Sequence, residues 1–514
     1  MRIPDSIWGK INVKDYNPNI CRDKCSYHDV CHYYNLRRKM TFTNGIIVCN
    51  QDLLAINMKK RSDYRTQLMN ENLSLIVIDE VHNLESRVRS SVTESISLHG
   101  LKQSLYGASK AVSLADRNFL NEIKNADRLI DAVFLSLQHQ MNEQDKVAKC
   151  RGQEIDRYYV KKIDSNFRKL ERLLADIQFK ASMAFGDFVG DRNRRNFDAE
   201  IEALEDDVEF LKSLNRSESE DIFWIERVKK EVKGIKLYKC PKEVDKITKR
   251  ILFHDQEITT ILTSATITSG KNSDYKENYK YFIKNTGFSA EAGKICEPKE
   301  SPFNYDEHAM IYYTEHLPHP SKEREAFIEE GVKEIIKLLQ ISNGKALILF
   351  TAKTDMKEVF DRLSKEDLSF ELMISKGNSK QAEILNKFRT NINSVLFGTG
   401  SFWEGINIEG VSLSHVIIFK LPFPVREPIV DYECSICDDG LMEVLVPEMV
   451  IKLKQGIGRL IRSETDKGIV SIIDSRVGES SSSRYKEIIW NSLPIKNRSN
   501  KIEVLKHFYD NIVS

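Results

Sequence analysis

Leu73 to Leu84, LSLIVIDEVHNL, constrains the fold more than any other stretch of this chain. Leu75, Ile76, Val77 and Ile78 form an unbroken apolar run, mostly β-branched and without alternation. Such a run predicts a short strand buried on both faces, as in a parallel sheet. It stops abruptly at Asp79 and Glu80, so two carboxylates stand at the strand's C-terminal end, where open α/β sheets bind ligands. A buried strand followed by a solvated acidic turn has the same local pattern, and only the rest of the chain can separate the two.

Cys21, Cys25 and Cys31 form a C-x3-C-x5-C cluster with His28 and His32 nearby. Three thiolates this close can converge on zinc or on an iron–sulfur cluster, and the spacing does not choose between them. Three unrelated free thiols remain the alternative. No apolar stretch approaches the ~18 residues of a membrane span, and MRIPDSIWGK lacks a signal-peptide core. A cytoplasmic, reducing location is therefore the default, and the nine cysteines read as metal ligands or buried thiols before disulfides. Cys434 and Cys437 make a CxxC without a second pair.

Gly45 to Cys49 reads as a short strand. From about Ser97 to Val244 the pattern turns helical. Phe119, Ile123, Ala126, Ile130, Val133 and Leu137 repeat at three and four, as do Phe167, Leu170, Leu173, Leu174 and Ile177. This predicts an all-helical insertion over 97–244. Asp198 to Asp221 is acidic and reads as a solvated helix face. Glu226 to Arg250 carries ten basic residues against four acidic and is either another solvated face or a surface facing phosphates. Whole-chain charge is balanced, 77 basic against 76 acidic, so it neither supports nor excludes a nucleic-acid partner.

Strand character returns at Ile258 to Thr263, followed by Ser264, Ala265 and Thr266, and EPKESPFNY reads as a boundary near Tyr305. Beyond it, Ala346–Phe350, Val395–Phe397, Val416–Phe419 and Ile469–Ile473 alternate with helical or Gly-rich segments, which predicts a doubly wound parallel domain. Gly398 to Gly410, GTGSFWEGINIEG, suits a loop whose N–H groups approach an anion. In MVIKLKQGIGRLIRS a continuous helix would place Gln455, Arg459 and Arg462 within about 60° of one another. Gly456 and Gly458 inside such a helix would each cost roughly 1 kcal/mol, which makes sense if a backbone or ligand comes close. Two arginines so aimed can stabilise charge on a transferring phosphoryl group.

The ordered set DEVH (Asp79 to His82), SAT (Ser264 to Thr266), ALILFTA, GTGSFWEGIN, KLPFP (Lys420 to Pro424) and QGIGRLIR (Gln455 to Arg462) resembles superfamily 2 helicases of the DinG/XPD type, with SFWEG and KLPFP closest to the bacterial DinG branch. The resemblance implies an α/β fold of two RecA-like parallel-sheet domains, ATP and Mg²⁺ in the cleft between them, and 5′ to 3′ movement on single-stranded and forked duplex DNA. The first domain, over 1–96 and 245–304, would be incomplete, with a cysteine-cluster segment at about 15–50. A helical arch-like insertion would span 97–244, and the second domain 305–514. By position, Asp79 would hold Mg²⁺ through water and Glu80 would polarise the attacking water. His82, Ser264 and Thr266 would couple nucleotide to domain movement. Glu404, Gly405, Asn407 and Gln455 would lie near the nucleotide, and Arg459 and Arg462 would reach the γ-phosphate. Cys21, Cys25 and Cys31 would bind three corners of a 4Fe-4S cluster whose fourth ligand is not in this chain.

Two family features are missing. Gly344-Lys345 is followed by Ala346 and Gly270-Lys271 by Asn272, so no phosphate-cradling Gly-Lys-Ser/Thr occurs, and no cysteine precedes Cys21. Asn407 stands where the family usually has aspartate. Three readings follow: a DinG-like helicase lacking its N-terminus, a split enzyme whose partner chain supplies the phosphate loop, or a non-catalytic DNA-binding or regulatory shell. In each, Ile258 to Thr263 is expected to form an exposed apolar edge.

Overall fold

The computed structural model describes residues 21–23, 25–65, 67–109, 117–150, 155–184, 191–216, 218–228, 234–268, 274–299, 301–374, 381–403, 408 and 412–513. Their strands are β1 (Leu75–Ile78), β2 (Glu94–Ser97), β3 (Arg157–Tyr159), β4 (Asp221–Arg227), β5 (Ile235–Pro241), β6 (Thr259–Leu262), β7 (Ala309–Tyr313), β8 (Ala346–Phe350), β9 (Glu371–Ile374), β10 (Ser394–Thr399), β11 (His415–Phe419), β12 (Gly468–Ile473) and β13 (Arg498–Ser499). The chain divides into two compact units, one of Met1–Val92, Glu243–Ser264 and Asn285–Phe288, the other of Thr93–Lys242, Ala265–Lys284 and Ser289–Ser514.

In the first unit β1 pairs in parallel with β6, from Leu75 opposite Thr259 to Ile78 opposite Leu262. Helices His32–Phe42 and Gln51–Ser62 lie in the same unit. Buried Asn57 accepts from the Leu68 and Met69 N–H groups at 2.7 and 3.0 Å, and Arg37 donates to Leu68 O at 3.0 Å. Two expectations fail here. β1 is not buried on both faces: Ile76 and Ile78 are buried, but Leu75, Val77 and the neighbouring Ile261 are 53%, 59% and 48% exposed. A two-stranded sheet covers one face easily and leaves the other to whatever packs on it, and among the described residues nothing does. Gly45 to Cys49 forms no strand, and Ile46 and Val48 are exposed. Of the exposed apolar edge expected at Ile258 to Thr263, Ile261 is exposed and Ile258 is buried.

The second unit holds a seven-stranded parallel sheet in the order β13-β7-β12-β11-β8-β10-β9 and an antiparallel sheet in the order β2-β5-β4-β3. In the parallel sheet every residue of β7, β8, β11 and β12 is buried, as continuous apolar runs require. Alternation splits the side chains between two cores. Leu347 and Leu349 face one with Trp403 and helix Val446–Ile457. Ala346, Ile348 and Phe350 face the other with helix Arg324–Ser342.

The insertion is not all-helical. Helices Leu98–Ser109, Arg117–Cys150, Ser165–Ala184 and Asp191–Asn215 share one core with residues of β2 to β5, and the predicted apolar stripe from Phe119 to Leu137 is buried. β4 and β5 were hidden by charge. In IKLYKC, Ile235 and Leu237 alternate with Lys236 and Tyr238, a strand period inside a segment dense in lysine. The basic run is accordingly not one face: Lys239 pairs with Glu94 at 2.8 Å, and Lys242 donates to Ser219 O at 2.7 Å.

His415, at the start of β11, is fully buried, with Nδ1 3.1 Å from Ser342 Oγ and Nε2 2.8 Å from Ser471 Oγ. Burial pushes its pKa down to about 3. The unfolded chain then binds a proton below about pH 6.5 that the folded chain refuses. Stability from this site is full above that pH and falls by about 1.4 kcal/mol per unit as pH drops toward 3. His415→Gln should flatten the pH dependence of urea unfolding between about pH 6.5 and 4.5; an unchanged slope would show that the imidazole is not responsible.

Candidate active site

The acidic turn after β1 is tightly held. Glu80 has φ +50°, a left-handed conformation unusual for a residue with a side chain. Gln51 fastens it, donating from Nε2 to Asp79 O at 2.6 Å and Glu80 O at 3.1 Å, while the Glu80 N–H donates to Asp79 Oδ1 at 2.9 Å. Gln51 opens a helix capped by Asn50, whose side chain accepts from Leu53 N–H at 2.9 Å. The turn also closes onto the end of β6. Val81 N–H donates to Thr263 O at 3.1 Å, and Thr263 N–H donates to Ile78 O at 2.9 Å.

That closure brings residues some 180 positions apart into one cluster. His82 Nδ1 lies 2.7 Å from Ser264 Oγ and 3.3 Å from Glu80 Oε2, and Ser264 Oγ donates to Glu80 Oε2 at 3.4 Å. The His82 side chain is 6% exposed and that of Glu80 60%. A carboxylate open to solvent, oriented from behind by an imidazole and a hydroxyl, suits a group that positions water. Asp79, exposed at the strand end, fits a cation held through its water shell. Thr266 lies two residues past the unit boundary at Ser264.

In the second unit the QGIGRLIR segment is not one helix. Helix Val446–Ile457 ends on Gly458, whose N–H donates to Lys454 O at 2.9 Å, and Arg459 and Arg462 follow in tight turns. The face shared by Gln455, Arg459 and Arg462 therefore does not form as expected, because the helix ends at Ile457. Gln455 is buried on the last turn, Arg459 Nε donates to Trp403 O at 3.1 Å, and the Arg462 and Ser463 N–H groups both donate to Asp466 Oδ2 at 2.8 Å. Gly456 is explained by Trp403: a β-carbon there would stand 2.8 Å from the indole Cζ3. Trp403 is buried and donates from Nε1 to Phe350 O at 2.9 Å. Glu404, Gly405 and Asn407 lie outside the described residues.

Around Lys420 of the KLPFP motif the C-terminal edge of the parallel sheet carries three residues that sequence reasoning did not single out, Asp355, Arg324 and Asp474. Lys420, at φ +75° after β11, donates to Asp355 Oδ2 at 2.7 Å, and Arg324 donates to Asp355 Oδ1 at 2.6 Å. Burial acts upward on the Asp355 carboxyl, but Lys420 and Arg324 outweigh it and hold the group below the usual carboxylate range. Buried Asp474, after β12, accepts from Leu421 N–H at 2.8 Å and from Arg476. Its place directly after an apolar run was the available signal. Together these residues fix the KLPFP turn.

Cys21, Cys25 and Cys31 are neighbours: burial and the other two thiols all push the Cys21 pKa up. Cys31 caps helix His32–Phe42, its Sγ accepting from Tyr34 N–H at 3.5 Å. Among the described residues no three Cys, His, Asp or Glu side chains converge as a metal-holding group, and a four-cornered cluster needs one thiolate more than these three. As they stand the donors do not complete such a site.

Comparison with known proteins agrees with this arrangement. Residues 14–101 match the DEAD_2 family and residues 335–495 match the helicase C-terminal domain. The chain is 25% identical over 495 residues to the ATP-dependent DNA helicase YoaA of Haemophilus influenzae, covering 95% of this chain and 72% of that protein. It is 31% identical over 241 residues to the ATP-dependent helicase DinG of Mycobacterium tuberculosis, covering 46% of this chain and 34% of that one. In fold it is similar to a solved XPD helicase, with TM-score 0.55 at 17% identity over 96% of this chain and 78% of that one. Motifs, the two domain matches and the relatives together support a superfamily 2 helicase of the DinG/XPD type, and the fold is similar to that of XPD.

Proposed function

We propose that this chain is the motor portion of an ATP-dependent DNA helicase, moving 5′ to 3′ on single-stranded DNA and opening forked duplexes in the cytoplasm. The observation that carries the reading is the Asp79–Glu80–His82–Ser264 cluster at the paired ends of β1 and β6. Asp79 would hold Mg²⁺ through water and Glu80 would orient the attacking water. Ser264 and His82, bridging two strands, would transmit the state of Glu80 to the segment that continues through Thr266. Arg459 and Arg462, with Glu404, Gly405, Asn407 and Gln455, would complete the nucleotide site from a second domain over 305–514. The first domain would take 1–96 and 245–304, and the arch-like insertion 97–244. Cys21, Cys25 and Cys31 would supply three ligands of an iron–sulfur cluster.

The sequence contains no Gly-Lys-Ser/Thr of a phosphate-cradling loop. The exposed face of Leu75, Val77 and Ile261 supports a reading in which a further strand, of this or a partner polypeptide, joins the β1–β6 sheet and brings the cradle with it. Val77→Thr with Ile261→Thr should lower binding of a hydrophobic dye and slow aggregation, with unfolding free energy changed by no more than about 0.5 kcal/mol. Unaltered dye binding and aggregation would mean that this face is covered.

The DNA half of the proposal is tested by fluorescence anisotropy with labelled oligonucleotides. The chain should bind single strands in preference to blunt duplex, with affinity falling steeply as salt rises. Equal or absent binding of the two at low salt would remove the helicase reading.

A further inference from the structure

Cys434 and Cys437 have no part in the site described above, yet each sulfur faces a cation. Cys434 lies in the last turn of helix Pro428–Ser435, and the turn that follows returns Cys437 N–H to Cys434 O at 3.4 Å. An i, i+3 turn keeps the two Cα atoms within the span that a disulfide bridges. Arg426 Nη1 lies 3.3 Å from Cys434 Sγ, and Lys284 Nζ lies 3.1 Å from Cys437 Sγ. Both cysteines are partly open to solvent.

Two cations at this range argue against a metal, which they would repel, and promote thiolate chemistry, opposed in part by the carboxylates they pair with, Asp431 on Arg426 and Glu443 on Lys284. Lys284 is kept protonated, first by Cys437 and then, against some desolvation, by Glu443 at 3.3 Å. Burial pushes the Cys434 thiol up while Arg426 pulls it down, and the Lys284 ammonium 3.1 Å from Cys437 Sγ places Cys437 to act as the nucleophile.

We propose that Cys434 and Cys437 form a peroxide-sensitive thiol pair that closes reversibly to a disulfide. The Cys437 thiolate attacks one oxygen of a hydroperoxide. The O–O bond breaks, Cys437 becomes a sulfenic acid, and the departing oxygen leaves as alkoxide or hydroxide and takes up a proton. Cys434 then attacks the sulfenyl sulfur, the S–S bond forms, and hydroxide leaves with the Cys434 proton as water. Two thiols are oxidised by two electrons in all, and with hydrogen peroxide two waters result. The same helix receives the insertion, through Glu427 to Arg157 at 2.6 Å and Asp431 to Tyr159, so the pair sits where its closure can alter that contact.

The test treats the full chain with limiting hydrogen peroxide, blocks remaining thiols with iodoacetamide, and maps peptides by mass spectrometry. The disulfide within the peptide carrying Cys434 and Cys437 should form roughly tenfold faster than oxidation of the exposed Cys49 and Cys296. Lys284→Gln should slow it and Lys284→Arg should preserve it, with melting curves confirming that both variants fold. Cys434→Ser should leave a sulfenic acid at Cys437 that dimedone traps. Oxidation of Cys434 and Cys437 no faster than that of Cys49 and Cys296, or an unchanged rate in folded Lys284→Gln, would overturn the proposal.

Discussion

Calorimetric titration of the 514-residue chain with Mg-ATP should give an affinity roughly a thousandfold weaker than that of the same chain joined to a phosphate-cradling strand and loop. A cradle contributes several charge-assisted hydrogen bonds of about 1.5–3 kcal/mol each; the loss of three at the low end is about 4.5 kcal/mol. No Gly-Lys-Ser/Thr in this sequence replaces them. The Asp79–Glu80–His82–Ser264 cluster would then be assembled but short of substrate, and DNA-stimulated hydrolysis would be correspondingly slow. Micromolar binding, or brisk DNA-stimulated turnover by the chain alone, would show that other residues hold the phosphates. In the joined chain Glu80→Gln should cut turnover by about a hundredfold or more while leaving ATP affinity nearly unchanged, because its carboxylate acts on water.

Trp403→Ala should destabilise the second unit by about 3–5 kcal/mol, among the largest single effects in the molecule. It removes a buried indole, its hydrogen bond to Phe350 O, and the surface against which Gly456 packs. Gly456→Ala is the sharper measurement. With Trp403 in place the added methyl carbon meets Cζ3 at 2.8 Å and should destabilise by about 1–3 kcal/mol. With Trp403 already replaced by alanine, the same change should become neutral or stabilising by up to about 1 kcal/mol, since alanine is the better helix former. Denaturant unfolding of the four proteins checks this. Equal costs in both backgrounds would mean that the glycine is needed for something other than the indole.

The legible parts of the chain were those whose signal is local and repeated. β8, β10, β11 and β12 announce themselves as short apolar runs, because a strand covered on both faces has no polar positions. The stripe from Phe119 to Leu137 likewise falls on a helix whose period it matches. What went unread depended on partners. Gly45 to Cys49 has strand composition and pairs with no strand. β4 and β5 were masked by the charge of the segments around them, although Ile222, Trp224 and Ile225 of β4 and Ile235 and Leu237 of β5 are buried. The QGIGRLIR helix stops at Ile457, before Arg459 and Arg462, whereas a helical wheel presumes that the helix continues.

The sequence by itself determined the kind of site: two carboxylates at a strand end, a serine and a histidine far apart, and arginines in a glycine-flanked segment, in an order that pointed to one helicase type. Residue chemistry and order along the chain are one-dimensional facts. Only the tertiary structure decided that His82 and Ser264 meet behind Glu80, that Gln51 holds the strained turn, and that Trp403 dictates Gly456. Each of these depends on chain crossing space between positions distant in sequence, where the parallel pairing of β1 with β6 or the packing of a helix on a sheet sets the distance. The same pairing left Leu75 and Val77 in solvent, although the run from Leu75 to Ile78 alone reads as a buried strand. A strand's own residues state what they would bury, and burial itself is settled by what the rest of the fold lays over them.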